Sequence, residues 1–320
     1  MYREAHAIHA HSGAVHVVRF SAGGRYLLSG GSDQQINLWN VKSGAPGPLD
    51  AKGRSQSIQK YSAHSYEVLC IDVATDNSKF ASGGPDRNVF VWDVASGNVL
   101  RRFNAHYGRV NDVRFAGANN DGSVLLAAGS DTIVRAYDLR AHNSWKPIME
   151  LDDARDAILT MALSGTTTIH AGSVDGVMRT YDVRQGILQS DVIDHPITSI
   201  TPTQAGSAVL VSTLDSTARL FDMTNGQELQ KFTGLTNTSF RCHSTLADDE
   251  ATVVAGDEHG HIYAWDLLTA RRTERLAPDY SAGRKGQTPV AVLWTDANAE
   301  QGTKELATAS SNGLVHIWTG

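Results

Sequence analysis

Cysteine is scarce in this chain. Its 320 residues include only Cys70 and Cys242, too few and too far apart for a disulfide framework, and nothing around them resembles a metal cluster. An excess of positive charge is also missing. The 28 Lys and Arg against 34 Asp and Glu leave a net charge of −6, so no chain-wide basic field draws nucleic acid. No apolar run approaches the ~18 residues of a membrane helix. The opening MYREAHAIHAHSG lacks the apolar stretch of a secretory signal. With 41% hydrophobic and only 19% charged residues, the chain is not one that stays largely disordered. No GxxxxGK phosphate loop, GxGxxG turn, HExxH pair or EF-hand loop occurs. Together these absences lead us to expect an intracellular protein of a reducing compartment with no membrane, cofactor, metal or small-molecule substrate.

What the chain does contain is one phrase, repeated. A step of small residues and an Asp is followed, six residues after the Asp, by an aromatic residue and usually a second Asp. SGGSDQQINLWN at 29–40, SGGPDRNVFVWD at 82–93, AAGSDTIVRAYD at 127–138, AGSVDGVMRTYD at 171–182 and VSTLDSTARLFD at 211–222 carry it in full. It weakens in AGDEHGHIYAWD at 255–266 and TASSNGLVHIWT at 308–319. The aromatics are Trp39, Trp92, Tyr137, Tyr181, Phe221, Trp265 and Trp318, spaced by 53, 45, 44, 40, 44 and 53 residues. Between them the text alternates as strands do, in VHVVRF at 15–20 and VNDVRF at 110–115, and breaks at turn residues such as SAGG at 21–24. A period near ~45 residues is that of a four-stranded propeller blade. Seven units fill residues 1–320 as one all-β domain, with two Gly/Pro/polar insertions at 44–60 and 277–288 that read as arms able to order on a partner.

His11, His64 and His106 each stand four residues before Val15, Val68 and Val110, in phase with the phrase. These marks resemble the glycine-histidine and tryptophan-aspartate signatures of the WD40 repeat family. The resemblance implies a buried network from the loop His through a strand Ser to the Trp and the turn Asp. Repeat 1 keeps all four members as His11, Ser29, Asp33 and Trp39, and repeat 2 as His64, Ser82, Asp86 and Trp92. Repeat 3 has Ala127 and Tyr137, repeats 4 and 5 keep only Asp175 and Asp215, and repeats 6 and 7 place His259 and Asn312 in the Asp slot. The later blades are therefore expected to rest mainly on apolar packing. Trp318 lies two residues from the end, so the last repeat is short of an outer strand; Tyr2–Ile8 is expected to supply it and close the ring.

His, Ser and Asp in one network invite a hydrolase reading, but the serine would lie inside a strand with no glycine elbow and no oxyanion donors. The pairs His9/His11 and His259/His261 put two rings on one strand face without a third ligand, and read as solvated. No residue is left to carry catalysis, and a binding protein is expected. Its site is placed on the loops leading into repeats 2, 3, 4 and 6, at Tyr66, Arg109, Arg155 and Arg241. In repeats 4 and 6 the loop His is replaced by Ala154 and Leu235, so those loops are expected to have lost a tether. The three arginines would form a positive patch for carboxylates, phosphorylated segments or, secondarily, RNA phosphates.

Several stretches are similar to one subfamily, the organisers of mitogen-activated protein kinase cascades, notably LDDARDAI at 151–158, where the repeat His should stand. That resemblance implies a scaffold without enzymatic activity. Its partners would be spliceosomal components in pre-mRNA splicing or kinases of the cascade, in nucleus and cytoplasm, with the chain a monomer inside a larger complex. YDLR at 137–140 and YDVR at 181–184 resemble the box by which some propellers dock on cullin ubiquitin ligases, which implies a third role as substrate receptor through Arg140 and Arg184.

Overall fold

A computed structural model describes residues 2–41, 56–104, 106–117, 122–141, 145–276, 289–298 and 303–320. Among the described residues, twenty-eight strands form seven antiparallel four-stranded sheets. Blade 1 is β2 (Val15–Phe20), β3 (Tyr26–Gly31), β4 (Ile36–Asn40) and β5 (Gln59–Tyr61). Blade 2 is β6 (Cys70–Val73), β7 (Lys79–Gly83), β8 (Val89–Asp93) and β9 (Val99–Phe103). Blade 3 is β10 (Val110–Ala116), β11 (Val124–Gly129), β12 (Val134–Asp138) and β13 (Met149–Leu151). Blade 4 is β14 (Ile158–Ser164), β15 (Thr168–Ser173), β16 (Val177–Asp182) and β17 (Ile187–Val192). Blade 5 is β18 (Ile197–Pro202), β19 (Ala208–Thr213), β20 (Thr217–Asp222) and β21 (Glu228–Phe232). Blade 6 is β22 (Ser244–Ala247), β23 (Thr252–Gly256), β24 (Ile262–Asp266) and β25 (Arg272–Leu276). Blade 7 is β26 (Pro289–Asn298), β27 (Thr303–Ser310) and β28 (Leu314–Thr319), with β1 (Arg3–His9) on its outside.

The first strand of each sheet touches the first strand of both neighbours, from β2 round to β26 and back to β2. Seven sheets joined this way make a closed ring, a seven-bladed β-propeller. Closure uses the N-terminal strand as expected, one residue later than read: Arg3 pairs with Thr319 and His9 with Leu314, while Tyr2 is buried between blades 6 and 7. The insertion 277–288 and the part of 44–60 before residue 56 lie outside the described residues.

Seven apolar clusters fill the seven blade-to-blade interfaces. Leu28, Ile36, Tyr61, Phe80, Phe90 and Trp92 join blades 1 and 2, with Phe80 stacked on Trp92 at 5.7 Å between ring centroids. Ile8, Val15, Leu27, Trp39, Val315 and Ile317 join blades 7 and 1. Along the inner strands of blades 1 to 6 the alternation thus buries one face against each neighbouring blade.

The first strands also carry charge, which the strand-like alternation of VHVVRF and VNDVRF does not reveal. Arg19 on β2 holds Asp72 on β6 (Nη2 to Oδ1, 2.7 Å), and Asp72 in turn accepts the Phe115 N–H of β10 at 2.7 Å. Arg114 holds Asp112 at 3.0 Å, and Asp112 accepts the Met161 N–H of β14 at 2.7 Å. Each carboxylate is buried; Asp72 stitches together blades 1, 2 and 3, and Asp112 blades 3 and 4, around the axis. Burial works against the Arg114 charge, but Asp112 and Asp72 outweigh it and hold its pKa above the ordinary value.

Candidate functional site

The loops that lead into the first strands lie together on one face of the ring, and the buried networks determine how firmly each is held. In blade 1 the carboxylate of Asp33 accepts from His11 Nδ1 at 2.7 Å, which leaves His11 Nε2 to accept the Ser29 hydroxyl at 2.8 Å. Ser29 Oγ accepts from Trp39 Nε1 at 2.8 Å. Blade 2 repeats the relay through Trp92, Ser82, His64 and Asp86 at 2.8, 2.8 and 2.7 Å. Burial disfavours the charge on Asp33 and Asp86, but their His partners and loop N–H groups outweigh it and hold both pKa values below the ordinary carboxylate range. The structure brings these eight residues together in two four-membered relays. Close backbone approach seals the arrangement: a Cβ on Gly84 would stand 2.3 Å from the Glu67 carbonyl of the blade 2 loop.

Beyond blade 2 the later networks are not the apolar remnants expected. Asp131, Asp175 and Asp215 are each paired with an arginine four residues on, Arg135 at 2.5 Å, Arg179 at 2.9 Å, and Arg219. In an alternating strand that spacing puts the guanidinium back over the turn, where it joins His106 on Asp131 in blade 3 and stands in for the missing His and Ser in blades 4 and 5. In blade 6 the polar role moves two residues upstream: Asp257 accepts the backbone N–H groups of His259 and His261 at 2.9 and 2.8 Å, and His261 is held by Asp257 rather than solvated. In blade 7 Thr308 accepts from Trp318 Nε1 at 3.0 Å and Asn312 accepts the Leu314 N–H at 2.9 Å.

The loops of blades 4 and 6 are tethered, contrary to the expectation from Ala154 and Leu235. The turn carboxylate caps the loop backbone in blades 1 to 4, accepting from the N–H of Ser12, Ser65, Tyr107 and Arg155 at 3.3, 3.4, 3.1 and 3.0 Å. In blade 6 the Glu258 carboxylate clasps the loop, accepting from the N–H of Thr238 and Phe240 at 2.6 and 3.0 Å and from that of Ser239. Although burial opposes it, these N–H donors hold the Glu258 pKa below its ordinary value. No repeat signature marks Glu258, and sequence reasoning missed it.

Of the four residues proposed from sequence, Tyr66, Arg109 and Arg155 are exposed on this face. Tyr107 and Phe240, on neighbouring loops, are exposed beside them. Arg109 Nε donates to Ser130 Oγ at 3.2 Å and, with Phe240, His16 and Asn111, lines a cavity of about 590 Å³ at the channel mouth. Arg241 does not belong to a rim patch. Its side chain turns into the channel, donating from Nη1 to the Asn111 carbonyl at 2.8 Å, with Nη2 3.9 Å from Asp112, and burial lowers its pKa. A blade-to-blade brace is the role this geometry gives it. Arg140 is held by Asp138 through two contacts of 3.0 Å, a local pairing within the strand turn.

The WD domain, G-beta repeat family model matches residues 3–40, 55–93 and 97–138, the three repeats that keep their His. The chain is 40% identical over 256 residues to human WD repeat domain-containing protein 83, covering 80% of this chain and 76% of the relative. It is 36% identical over 306 residues to the zebrafish (Danio rerio) protein of that name, covering 96% and 88%. With the WD repeat domain-containing protein 83 homolog of Dictyostelium discoideum it shares 28% over 336 residues, covering 96% and 95%. The chain belongs to the WD40 repeat family.

Proposed function

We propose that this propeller is a non-enzymatic scaffold of pre-mRNA splicing whose leading-loop face is a protein-docking surface in nuclear ribonucleoprotein assembly. WD40 propellers generally serve as protein-interaction scaffolds, and the matched relatives name no catalytic family. The single observation that carries the docking face is the exposure of Tyr66, Tyr107 and Phe240 on loops fixed by the carboxylates of Asp86, Asp131 and Glu258. Rigid, exposed aromatics beside arginines make an anchor surface with little ordering cost on binding. Arg109 and Arg155 give that face its positive charge and favour an acidic or phosphorylated partner segment; RNA contact is secondary.

The splicing assignment rests on the resemblance to mitogen-activated protein kinase organiser 1 in repeats 2 to 5, and the same resemblance supports a second reading as a kinase-cascade scaffold in the cytoplasm. A ubiquitin-ligase receptor role has less support, since the Arg140 guanidinium is occupied by Asp138. Affinity purification of the tagged chain with quantitative mass spectrometry separates the three. Spliceosomal proteins are expected to dominate; a recovery dominated by cascade kinases, or by a cullin and its adaptor, would replace the splicing reading.

A further inference from the structure

Every blade of a propeller ends in an outer strand with one unpaired edge, and such edges invite pairing with other chains. Natural sheets blunt them with short strands, bulges or basic side chains. Six of the seven outer strands described here use these devices. β5 and β13 pair only three residues each with the strand inside them. β9, β21, β25 and β1 each carry a register shift, and each contains Lys or Arg. β17 has none of the three. All six of its residues pair with β16 without interruption, from Ile187 opposite Asp182 to Val192 opposite Val177, and its sequence ILQSDV has no basic residue. Ile187, Leu188 and Val192 are 55, 39 and 68% exposed. Uninterrupted, with three exposed apolar side chains and Asp191 as its one charge, this edge departs from the pattern of the other six.

We propose that the β17 edge pairs antiparallel with the β17 edge of a second copy of this chain, joining two blade 4 sheets into one eight-stranded sheet. The sequence decides for a second copy because the strand is complementary to itself in one register. A two-fold axis across an antiparallel pair passes between a residue and its own copy. With the axis at Ser190, Leu188 faces Val192 twice on one side of the sheet. On the other side Gln189 faces Asp191 twice, amide to carboxylate, a pairing the strand already makes internally at 3.3 Å. Shifting the axis to Gln189 sets Ile187 against Asp191, and shifting it to Asp191 sets two carboxylates face to face. Of these three registers, only the one centred on Ser190 sets apolar against apolar and amide against carboxylate. One six-residue edge buries less area than a permanent dimer needs, so the association is weak and concentration-dependent. It uses a different surface from the docking face and does not depend on that reading.

Sedimentation equilibrium from ~10 μM to ~1 mM, the range of weak complexes, tests it. The weight-average mass of the wild-type chain is expected to rise from 34.5 kDa toward twice that value. Leu188→Lys/Val192→Lys and Leu188→Glu/Val192→Glu each place like charges opposite one another, and each variant alone is expected to stay at the monomer mass with unchanged melting. Mixed in equal amounts they place Lys opposite Glu, and association is expected to return. A wild-type chain that remains a monomer throughout overturns the proposal, as does self-association of either variant alone or failure of the mixture to associate.

Discussion

Ser29 and Ala127 hold the same position in blades 1 and 3, whose networks differ there by a hydroxyl and further out by Tyr137 for Trp39 and Arg135 for Asn37. In blade 1 the hydroxyl serves both His11 and Trp39; in blade 3 its absence leaves buried His106 Nε2 without a partner. A buried polar atom with no partner costs about 1–3 kcal/mol. Ala127→Ser is therefore expected to stabilise the protein by about 1 kcal/mol, and Ser29→Ala to destabilise it by about 1–3 kcal/mol. Denaturant titration checks both, and a destabilising Ala127→Ser would show that the blade 3 relay is not limited by that oxygen. Proton binding is argued at the same scale. His170 is buried between the hydroxyls of Ser164 and Thr180, at 2.8 and 3.0 Å, and burial pushes its pKa down to about 4. An unfolded histidine takes up its proton near pH ~6.5, so stability is expected to fall as pH drops from ~6.5 to ~4, by on the order of 3 kcal/mol. The turn aspartates act lower: Asp33 and Asp86 lie below the ordinary range and Asp215, although partly buried, is held at about 2 by Arg219 and Thr213, so their contribution is lost below pH ~4. Unfolding free energies at pH 7.5, 5.5 and 4 should give a shallower slope for His170→Gln than for wild type; an equal slope would remove His170 as the source.

At the level of elements, the closing strand carries the clearest consequence. β1 covers the outer edge of β28, Ile8 packs between blades 7 and 1, and Tyr2 packs between blades 6 and 7. Burying two such side chains contributes about 4 kcal/mol, and deletion of residues 1–9 is expected to lower the melting temperature by on the order of 10 °C. An unchanged melting curve would mean that the ring does not depend on this closure. The strand was legible in the sequence because the last repeat lacked an outer partner and only Tyr2–Ile8 was unassigned. The relays of blades 1 and 2 were legible because each residue type sits in a fixed slot. The Asp–Arg pairs of blades 3 to 5 were not, although VRAYD, MRTYD and ARLFD spell the spacing three times. A charge four residues after a turn Asp becomes a partner only once the strand's pleat returns it to the same face. Arg241 was illegible for another reason: its direction is set by Asn111 and Asp112, some 130 residues away across the channel.

The whole molecule is an acidic ring held by seven apolar interfaces and by carboxylates at the axis and at the loop turns. Its rigidity is spent on presentation: the loops of blades 2, 3 and 6 are tied by Asp86, Asp131 and Glu258, and what they hold out to solvent is Tyr66, Tyr107 and Phe240. The proposed docking face should be separable from folding and from the β17 edge. The direct measurement is quantitative recovery of bound proteins by wild-type chain, by Tyr66→Ala/Tyr107→Ala/Phe240→Ala, and by Leu188→Lys/Val192→Lys, after all three are shown to melt together. The aromatic triple variant is expected to lose its partners tenfold or more, as loss of interface anchors does, while the edge variant keeps them. Undiminished recovery by the folded aromatic variant would contradict the docking face outright.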